Sequence, residues 1–398
     1  MRTRGRLSVG VVAVLLPMGA VPPGAAIPQV ERAALVALYT STHGENWTNR
    51  DGWLGRPGSE CSWYGVTCVA GEVVGLKLER NNLAGPLPPE LGDLTRLSAL
   101  VLSNNRLSGS IPLQMGKLEE CVMLGLSGNQ LSGSIPPQLA KRALALLDLS
   151  RNQLSGSIPR ELGNAMIMRL DLSSNRLSGP IPPELGWAGK LLALDLRNNE
   201  LSGAIPPALG KLEKLAGLAL SHNKLSGRIP PELANLKKLQ KGNSDFRYNA
   251  LWTDDSPLRD VLNATQAGGD WEATQTVAPT DVSVNPLAGD AIKVSWTPIR
   301  FQEFGGGYRV SFSTAIGGPY TLFGTTVDKK ASALTVTGLA PGKTYYVVVQ
   351  TMTHPHDFNR NTVISGYSKE VLATEKRQDY ADWAARIAFV LPFVFRLF

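Results

Sequence analysis

The 398-residue sequence has few of the residues on which many binding and catalytic sites depend. It contains three cysteines, four histidines and a net charge of only +7. Three of the positive charges, Arg2, Arg4 and Arg6, lie in the first six residues. So mild a charge gives no electrostatic reason to expect a nucleic-acid partner, and a hydrophobic fraction of 43% argues against general disorder.

The sequence also lacks an apolar run long enough to cross a membrane. Its N-terminal apolar stretch, "LSVGVVAVLLPMGAV", is shorter than the ~20 residues of a transmembrane helix and is interrupted by Pro17. The basic residues before it and the small residues "PPGAA" after it are typical of a secretory signal peptide. We predict a signal peptide at 1–26 and a secreted or cell-surface protein; a membrane anchor is the alternative.

One string recurs along the middle of the chain. "NQLSGSIP" occurs at 129–136 and again at 152–159, with near copies elsewhere. Spacings of 23 to 26 residues separate the repeated asparagines, which are Asn81, Asn105, Asn129, Asn152, Asn175, Asn199, Asn223 and Asn249. A period of this length indicates a solenoid, in which stacked units bury a common core.

Each part of the repeated unit has a predicted structural role. Alternating leucines in "LALDLRNN" predict a short strand with one buried face. The asparagine amide is expected to bond backbone groups where the chain leaves that strand, the glycine permits a left-handed turn, and the proline begins a short helical turn. The serines have no repeated base beside them, so we predict no catalytic residues and no enzyme activity.

The unit LxxLxLxxNxLSGxIPxxLGxL resembles the plant-type leucine-rich repeat, with about eight copies across 73–251. The resemblance implies a curved α/β solenoid whose concave parallel sheet usually binds ligands. Residues 27–72 resemble the family's N-terminal cap, in which Trp47, Trp53 and Trp63 would cover the first repeat and Cys61 and Cys68 would form a disulfide. Residues 252–277 are interpreted as a C-terminal cap and linker, with a short helix N-capped by Ser256.

Cys121 occupies a repeat position where Leu97 and Leu215 stand in sibling repeats. We interpret it as a buried thiol that acts as a small hydrophobic residue. The alternative is an intermolecular disulfide.

Residues 278–375 change to short β-rich runs at sandwich spacing. They resemble a fibronectin type III domain, with Trp296 and Tyr308 as core aromatics and "LAPGKTYYVVVQT" as the tyrosine-corner motif around Tyr345. The chain is therefore expected to be multidomain, a solenoid followed by an all-β sandwich. The combination is similar to secreted bacterial leucine-rich repeat proteins.

The tail, 376–398, is hydrophobic and basic, and Pro392 and Arg396 interrupt it. Four interpretations of this tail remain open: a weak membrane-surface contact, a removed anchor signal, packing on a partner, or a disordered end.

Ligand binding is predicted on the concave strands. One column should contain Lys77, Val101, Gly125, Asp148, Asp171, Asp195, Ala219 and Asp245. Strands ~4.8 Å apart would give an acidic stripe flanked by arginines and a few other side chains. The candidate ligand-binding residues are Asp148, Arg151, Arg169, Asp171, Asp195, Arg197, His222, Asp245, Arg247 and Tyr248.

Two functions follow from this pattern. The first is recognition of a protein or polysaccharide, with the sandwich as spacer or second binding module. The second is a structural or adhesive module, in which the aspartates merely repeat and pair internally. The loop with His354, His356 and Asp357 is a further candidate for recognition or for a metal site, although we predict no metal and no cofactor.

Overall fold

The computed structural model describes residues 26–374 except 288, 289 and 341. The predicted signal peptide, apart from Ala26, and the tail 376–398 lie outside the described residues. The described residues form two units, one comprising 26–275 with 357–361 and the other 276–356 with 362–374. Each is described by itself below.

The first unit has one strand per repeat in a nine-stranded sheet, counted over its described residues. All neighbours pair in parallel except the first two strands, which are antiparallel. Seven of the nine strands have a buried leucine, and Val66 and Ser244 are buried in the other two, so one face of the sheet belongs to the core. The strands are Val66–Val69, Glu72–Lys77, Ala99–Val101, Met123–Gly125, Leu146–Asp148, Arg169–Asp171, Ala193–Asp195, Gly217–Ala219 and Ser244–Asp245.

The string "LSGxIP" forms the opposite layer of the repeats. It begins with short parallel strands at Ala84–Pro86, Arg106–Ser110, Gln130–Gly133, Gln153–Gly156, Arg176–Gly179, Glu200–Gly203, Lys224–Arg228 and Ala250–Trp252. Its glycine takes a positive φ, +79° at Gly203, as the sequence predicts. A 3₁₀ turn then follows at Pro89–Asp93, Leu113–Lys117, Pro137–Leu139, Arg160–Asn164, Pro183–Trp187, Pro207–Lys211 and Pro231–Asn235.

Buried asparagines join successive repeats. The Asn199 amide donates to the carbonyls of Leu172 and Leu196, at 3.0 and 3.1 Å, and its oxygen accepts from the Leu177 N–H. Asn223 repeats the pattern one unit later. The predicted asparagine ladder is therefore confirmed. It satisfies backbone groups that would otherwise be buried without partners.

The N-terminal end of the solenoid is closed by the helix Gln29–Ser41, 3₁₀ turns at Gly44–Asn46 and Glu60–Ser62, and an aromatic cluster. Trp47, Trp53 and Trp63 are buried in the same core as the repeat leucines. Trp53 lies 4.7 Å from Trp47 and 5.0 Å from Trp63, between ring centroids. The predicted disulfide between Cys61 and Cys68 is present.

Cys121 is a free, buried cysteine, as the interpretation of a hydrophobic thiol requires. Burial raises the pKa of its thiol to about 11. A neutral, enclosed thiol is a poor candidate for an intermolecular disulfide.

The C-terminal end of the first unit is closed by the helix Ser256–Thr265 and a 3₁₀ turn at Glu272–Thr274. The prediction that Ser256 caps the helix is wrong: the Asp255 carboxylate accepts from the Leu258 N–H at 2.8 Å. Gln275 takes the place of a ladder asparagine, because it accepts from the Leu251 N–H and donates to the Phe246 carbonyl. The ladder therefore ends on a glutamine.

The second unit is an all-β domain with two sheets in its described part. One sheet contains Thr280–Pro286, Ile292–Thr297 and Ala333–Val336; the other contains Gly306–Ser313, Thr321–Thr325, Thr344–Thr353, Val363–Ile364 and Val371–Thr374. Trp296 and Tyr308 are buried 5.0 Å apart, between ring centroids. The Tyr345 hydroxyl accepts from the Ala340 N–H at 2.9 Å, which is the predicted tyrosine corner.

Candidate functional site

The exposed face of the nine-stranded sheet, called the strand face below, carries the predicted column of polar residues. Pairing aligns Asp148 with Asp171 and Asp171 with Asp195, and Ala219 separates Asp195 from Asp245. Each of these residues follows a buried leucine or serine in a strand of two or three residues. Side chains alternate along a strand, so the residue after the buried one points out of the core.

Two of the aspartates form internal ion pairs. Arg197 Nε and Nη2 donate to the Asp195 carboxylate, at 2.9 and 2.6 Å. Arg247 binds Asp245 in the same way at 2.9 and 2.8 Å, and Gln266 adds a third bond to Asp245. Both carboxylates are about 4–5% exposed. Arginine two residues after the aspartate thus neutralises and covers these two positions.

The other two aspartates have serine at the same position. Asp148 accepts from the N–H and hydroxyl of Ser150, and Asp171 accepts from those of Ser173. Arg169 Nη2 lies 4.0 Å from Asp171 Oδ2, beyond hydrogen-bonding distance. No lysine or arginine of the described residues lies within 4.0 Å of the Asp148 carboxylate. Asp148 and Asp171 therefore form an acidic pair on the strand face.

Asp171 shows the electrostatic effect of this arrangement. Burial, followed by the charges of Asp195 and Asp148, raises the pKa of Asp171 to about 6. For Asp245, burial acts in the same direction, but the hydrogen bonds and charge of Arg247 outweigh it and hold the pKa below its ordinary value. The column therefore contains carboxylates of two electrostatic kinds.

The remaining predicted residues lie at the edge of the strand face, where the chain turns off the strands. Arg151, His222 and Tyr248 have φ of 54°, 61° and 56°, the left-handed turn that Asn104 and Asn198 adopt in sibling repeats. The His222 and Tyr248 rings are 4.8 Å apart, and the Arg247 guanidinium lies 6.0 Å from the Tyr248 ring. This edge supplies an aromatic and a cationic surface beside the acidic column.

Sequence reasoning did not predict that residues 357–361 belong to the first unit. Phe358 stacks on Tyr248 with ring centroids 5.6 Å apart and planes within 6°. The next three residues donate side-chain hydrogen bonds to backbone carbonyls of the repeats. The sequence signal for this contact is a run of amide and guanidinium donors, "NRN", in the loop that also contains His354, His356 and Asp357.

Metal binding and membrane crossing receive no structural support in the described part of the chain. Among these residues, no group of three or more His, Cys, Asp and Glu side chains is arranged to hold a metal ion. No helix between residues 26 and 374, outside the gaps, is both long and apolar enough to span a bilayer.

Comparison with known proteins agrees with both parts of this architecture. Five segments match the Leucine Rich Repeat family: 96–118, 143–165, 166–187, 190–212 and 214–236. Residues 277–363 match the Fibronectin type III domain. The predicted fold class, a leucine-rich repeat solenoid followed by an all-β fibronectin type III domain, is confirmed.

Individual relatives are plant proteins that match only part of this chain. The LRR receptor-like serine/threonine-protein kinase FEI 2 of Arabidopsis thaliana is 46% identical over 52 residues, 13% of this chain and 9% of that protein. Protein MALE DISCOVERER 1 of the same species is 50% identical over 42 residues, 11% of this chain and 6% of that protein. This chain therefore spans less than a tenth of the curated relatives that it matches.

Among solved structures, the leucine-rich repeat ectodomain of the Arabidopsis receptor kinase HAESA is similar to this chain. It was crystallised in complex with an N-terminally extended IDA peptide hormone ligand. The TM-score is 0.51 and the identity 34%, over 60% of this chain and 39% of that chain.

Proposed function

We propose that this chain is a secreted or cell-surface recognition protein that binds a peptide segment of a protein ligand on its strand face. The single observation that carries the proposal is the acidic pair Asp148 and Asp171, which lies in register on adjacent strands. Neither carboxylate accepts a hydrogen bond from an arginine of the described residues, and the Arg169 guanidinium stays 4.0 Å from Asp171. The HAESA ectodomain supports it, since that related fold binds a peptide hormone. The ligand segment is expected to be basic.

The neighbouring residues favour a peptide over a polysaccharide. Arg151 and Arg169 flank the acidic pair, so the surface alternates in charge, and an extended peptide can complement such alternation side chain by side chain. Sugar binding more often uses exposed aromatic faces, and Tyr248 at this edge is already stacked on Phe358. The fibronectin type III domain serves as a spacer or a second binding module.

The test is capture of secreted and surface proteins on the immobilised chain, with a glycan array in parallel. Asp148→Asn with Asp171→Asn should weaken binding of a captured ligand at least about tenfold, because each desolvated charge contact is worth 1 kcal/mol or more. The thermal midpoint should change by no more than a few degrees. The matched control is Glu213→Gln with Glu232→Gln, which removes two exposed charges away from the strand face.

Equal ligand affinity in the wild type, the Asp148 and Asp171 variant and the control would contradict the proposal. If the chain captures glycans and no protein, its ligand is a polysaccharide and not a peptide.

A non-selective structural or adhesive module is the second candidate. The observation in its favour is the internal pairing of Asp195 with Arg197 and of Asp245 with Arg247, which leaves those charges little capacity for a partner. Under this alternative, strand-face variants adhere to cells as the wild type does.

A further inference from the structure

The backbone carbonyls of the ladder asparagines form a row along one edge of the strand face. Neighbouring repeats pair in parallel, so members of the row recur at about 4.8 Å. The first carbonyl, of Asn81, accepts from the Thr48 N–H of the N-terminal cap at 3.0 Å. The carbonyls of Asn105, Asn129 and Asn152 accept no hydrogen bond from any residue that the structure describes.

Residues 359–361 bind the C-terminal part of this row. The Asn359 amide donates to the carbonyls of Asn223 and Tyr248, at 3.1 and 2.9 Å. The Asn361 amide donates to Asn199 O at 2.7 Å, and the Arg360 guanidinium donates to Asn175 O. Three successive members of the row, in Asn175, Asn199 and Asn223, thus receive donors from three consecutive side chains. The Tyr248 carbonyl, next to the row, accepts a further bond.

The segment is held as a specific ligand would be. Asn359 and Asn361 are only 2% and 4% exposed, so their amides bind these carbonyls away from solvent. The Asn361 N–H donates to the Asn359 side-chain oxygen at 3.0 Å, which fixes the shape of the turn. Phe358 adds the stacking contact on Tyr248 described above.

We propose that the carbonyl row is a second binding site, for a peptide turn with closely spaced asparagine and arginine side chains, and that residues 358–361 are its resident occupant. A row of acceptors requires donors, and arginine and the asparagine amide supply them. Three extended residues would span only about 7 Å, less than two repeats. The resident reaches the carbonyls of Asn175, Asn199 and Asn223 through its side chains. The carbonyls of Asn105, Asn129 and Asn152 continue the same row. A longer peptide that displaces residues 358–361 therefore has further acceptors to bind.

This inference goes beyond the proposed function, because it involves neither Asp148 nor Asp171. Either proposal can fail without the other. The acidic pair selects basic groups by charge, whereas the carbonyl row selects hydrogen-bond donors.

The test uses a fluorescent peptide with the sequence of residues 355–363 and measures its anisotropy with the full chain. In the wild type, the tethered resident competes at an effective concentration on the order of millimolar. Replacing the resident side chains, with Asn359→Ala, Arg360→Ala and Asn361→Ala together, should tighten peptide binding on the order of tenfold. The control variant carries Arg142→Ala and Asn285→Ala, which change exposed side chains elsewhere. It should bind the peptide as weakly as the wild type does.

A second peptide, with aspartate in place of both asparagines, separates hydrogen-bond donation from shape. Aspartate has nearly the same size but accepts where asparagine donates, so this peptide should not bind the variant. Equal affinity of the first peptide for variant and wild type, or equal affinity of the two peptides for the variant, would overturn the proposal. If the triple variant does not fold by circular dichroism, the single change Asn361→Asp takes its place, with a smaller gain expected.

Discussion

Asp148 and Asp171 stand at the same position of the repeat as Asp195 and Asp245, yet the two pairs differ in their chemistry. Serine follows two residues after each member of the first pair, and arginine after each member of the second. The arginines bind Asp195 and Asp245 and cover them, whereas Asp148 and Asp171 are aligned on adjacent strands and accept hydrogen bonds only from serine.

The difference shows how one residue can divide a regular surface into a scaffold part and a binding part. The backbone is the same at all four positions, since the strands pair in one continuous register. Only the side chain two residues later decides whether the carboxylate is neutralised within the protein. The following experiments change that side chain or its aspartate, from the largest expected effect to the smallest.

Arg197→Ala should produce the largest loss of stability. It leaves the Asp195 carboxylate buried without its partner, which costs about 3 kcal/mol in the free energy of unfolding. Urea denaturation at pH 7 measures this. Arg151→Ala removes an exposed arginine and should cost less than about 0.5 kcal/mol. Similar small losses in both variants would show that the Asp195–Arg197 pair is not structural.

Asp171→Asn should stabilise the protein at pH 7 and have little effect at pH 4. The folded pKa of Asp171, about 6, exceeds the ordinary 3.8, so the stability gained by its protonation is lost as the pH rises through 6. Asparagine removes that penalty, for a gain of up to about 3 kcal/mol at pH 7. Thermal melts at both pH values check the sign.

Asp245→Asn is the matched variant in the other pair, and its effect should have the opposite sign. The pKa of Asp245 lies below its ordinary value, so its ionised form stabilises the fold above that value and the stability is lost on acidification. Stabilisation of both variants at pH 7 would remove the distinction between the pairs.

Ser173→Arg should have the smallest effect on stability at pH 7, within about 1 kcal/mol, because it copies the arrangement of Arg197 and Arg247. Its expected consequence is functional. The new guanidinium should neutralise Asp171, flatten the change of the melting temperature between pH 5 and 7, and weaken binding of a basic ligand. Unchanged pH dependence would mean that the residue two positions later does not control the aspartate.

Much of this architecture follows directly from the sequence. The repeat has a fixed period, and its leucines, asparagines, glycines and prolines recur with it. Local structure and stacking are therefore specified together in every unit. The column Asp148, Asp171 and Asp195 is predictable because a solenoid of fixed period keeps its strands in register. The sequence also contains the signal that separates the pairs, Asp-x-Ser against Asp-x-Arg, whereas the position in the repeat alone predicts a single acidic stripe.

Other features depend on choices that no local pattern decides. Asp255 and Ser256 are both favourable N-cap residues, and only the position of a carboxylate oxygen near the Leu258 N–H distinguishes them. Arg360 contacts Asn175, which lies 185 positions earlier in the chain. Asn175 belongs to a repeat, but Arg360 does not. Long-range contacts of this kind have no periodicity from which they can be inferred.

The most direct test of this account is a carbon-detected NMR titration of the aspartate side chains in the wild-type protein. We expect the Asp171 carboxyl to titrate near pH 6 and the Asp245 carboxyl to titrate below its ordinary value. Titration of both carboxyls at the same ordinary pH would contradict it, because the strand face would then have no electrostatically distinct binding part.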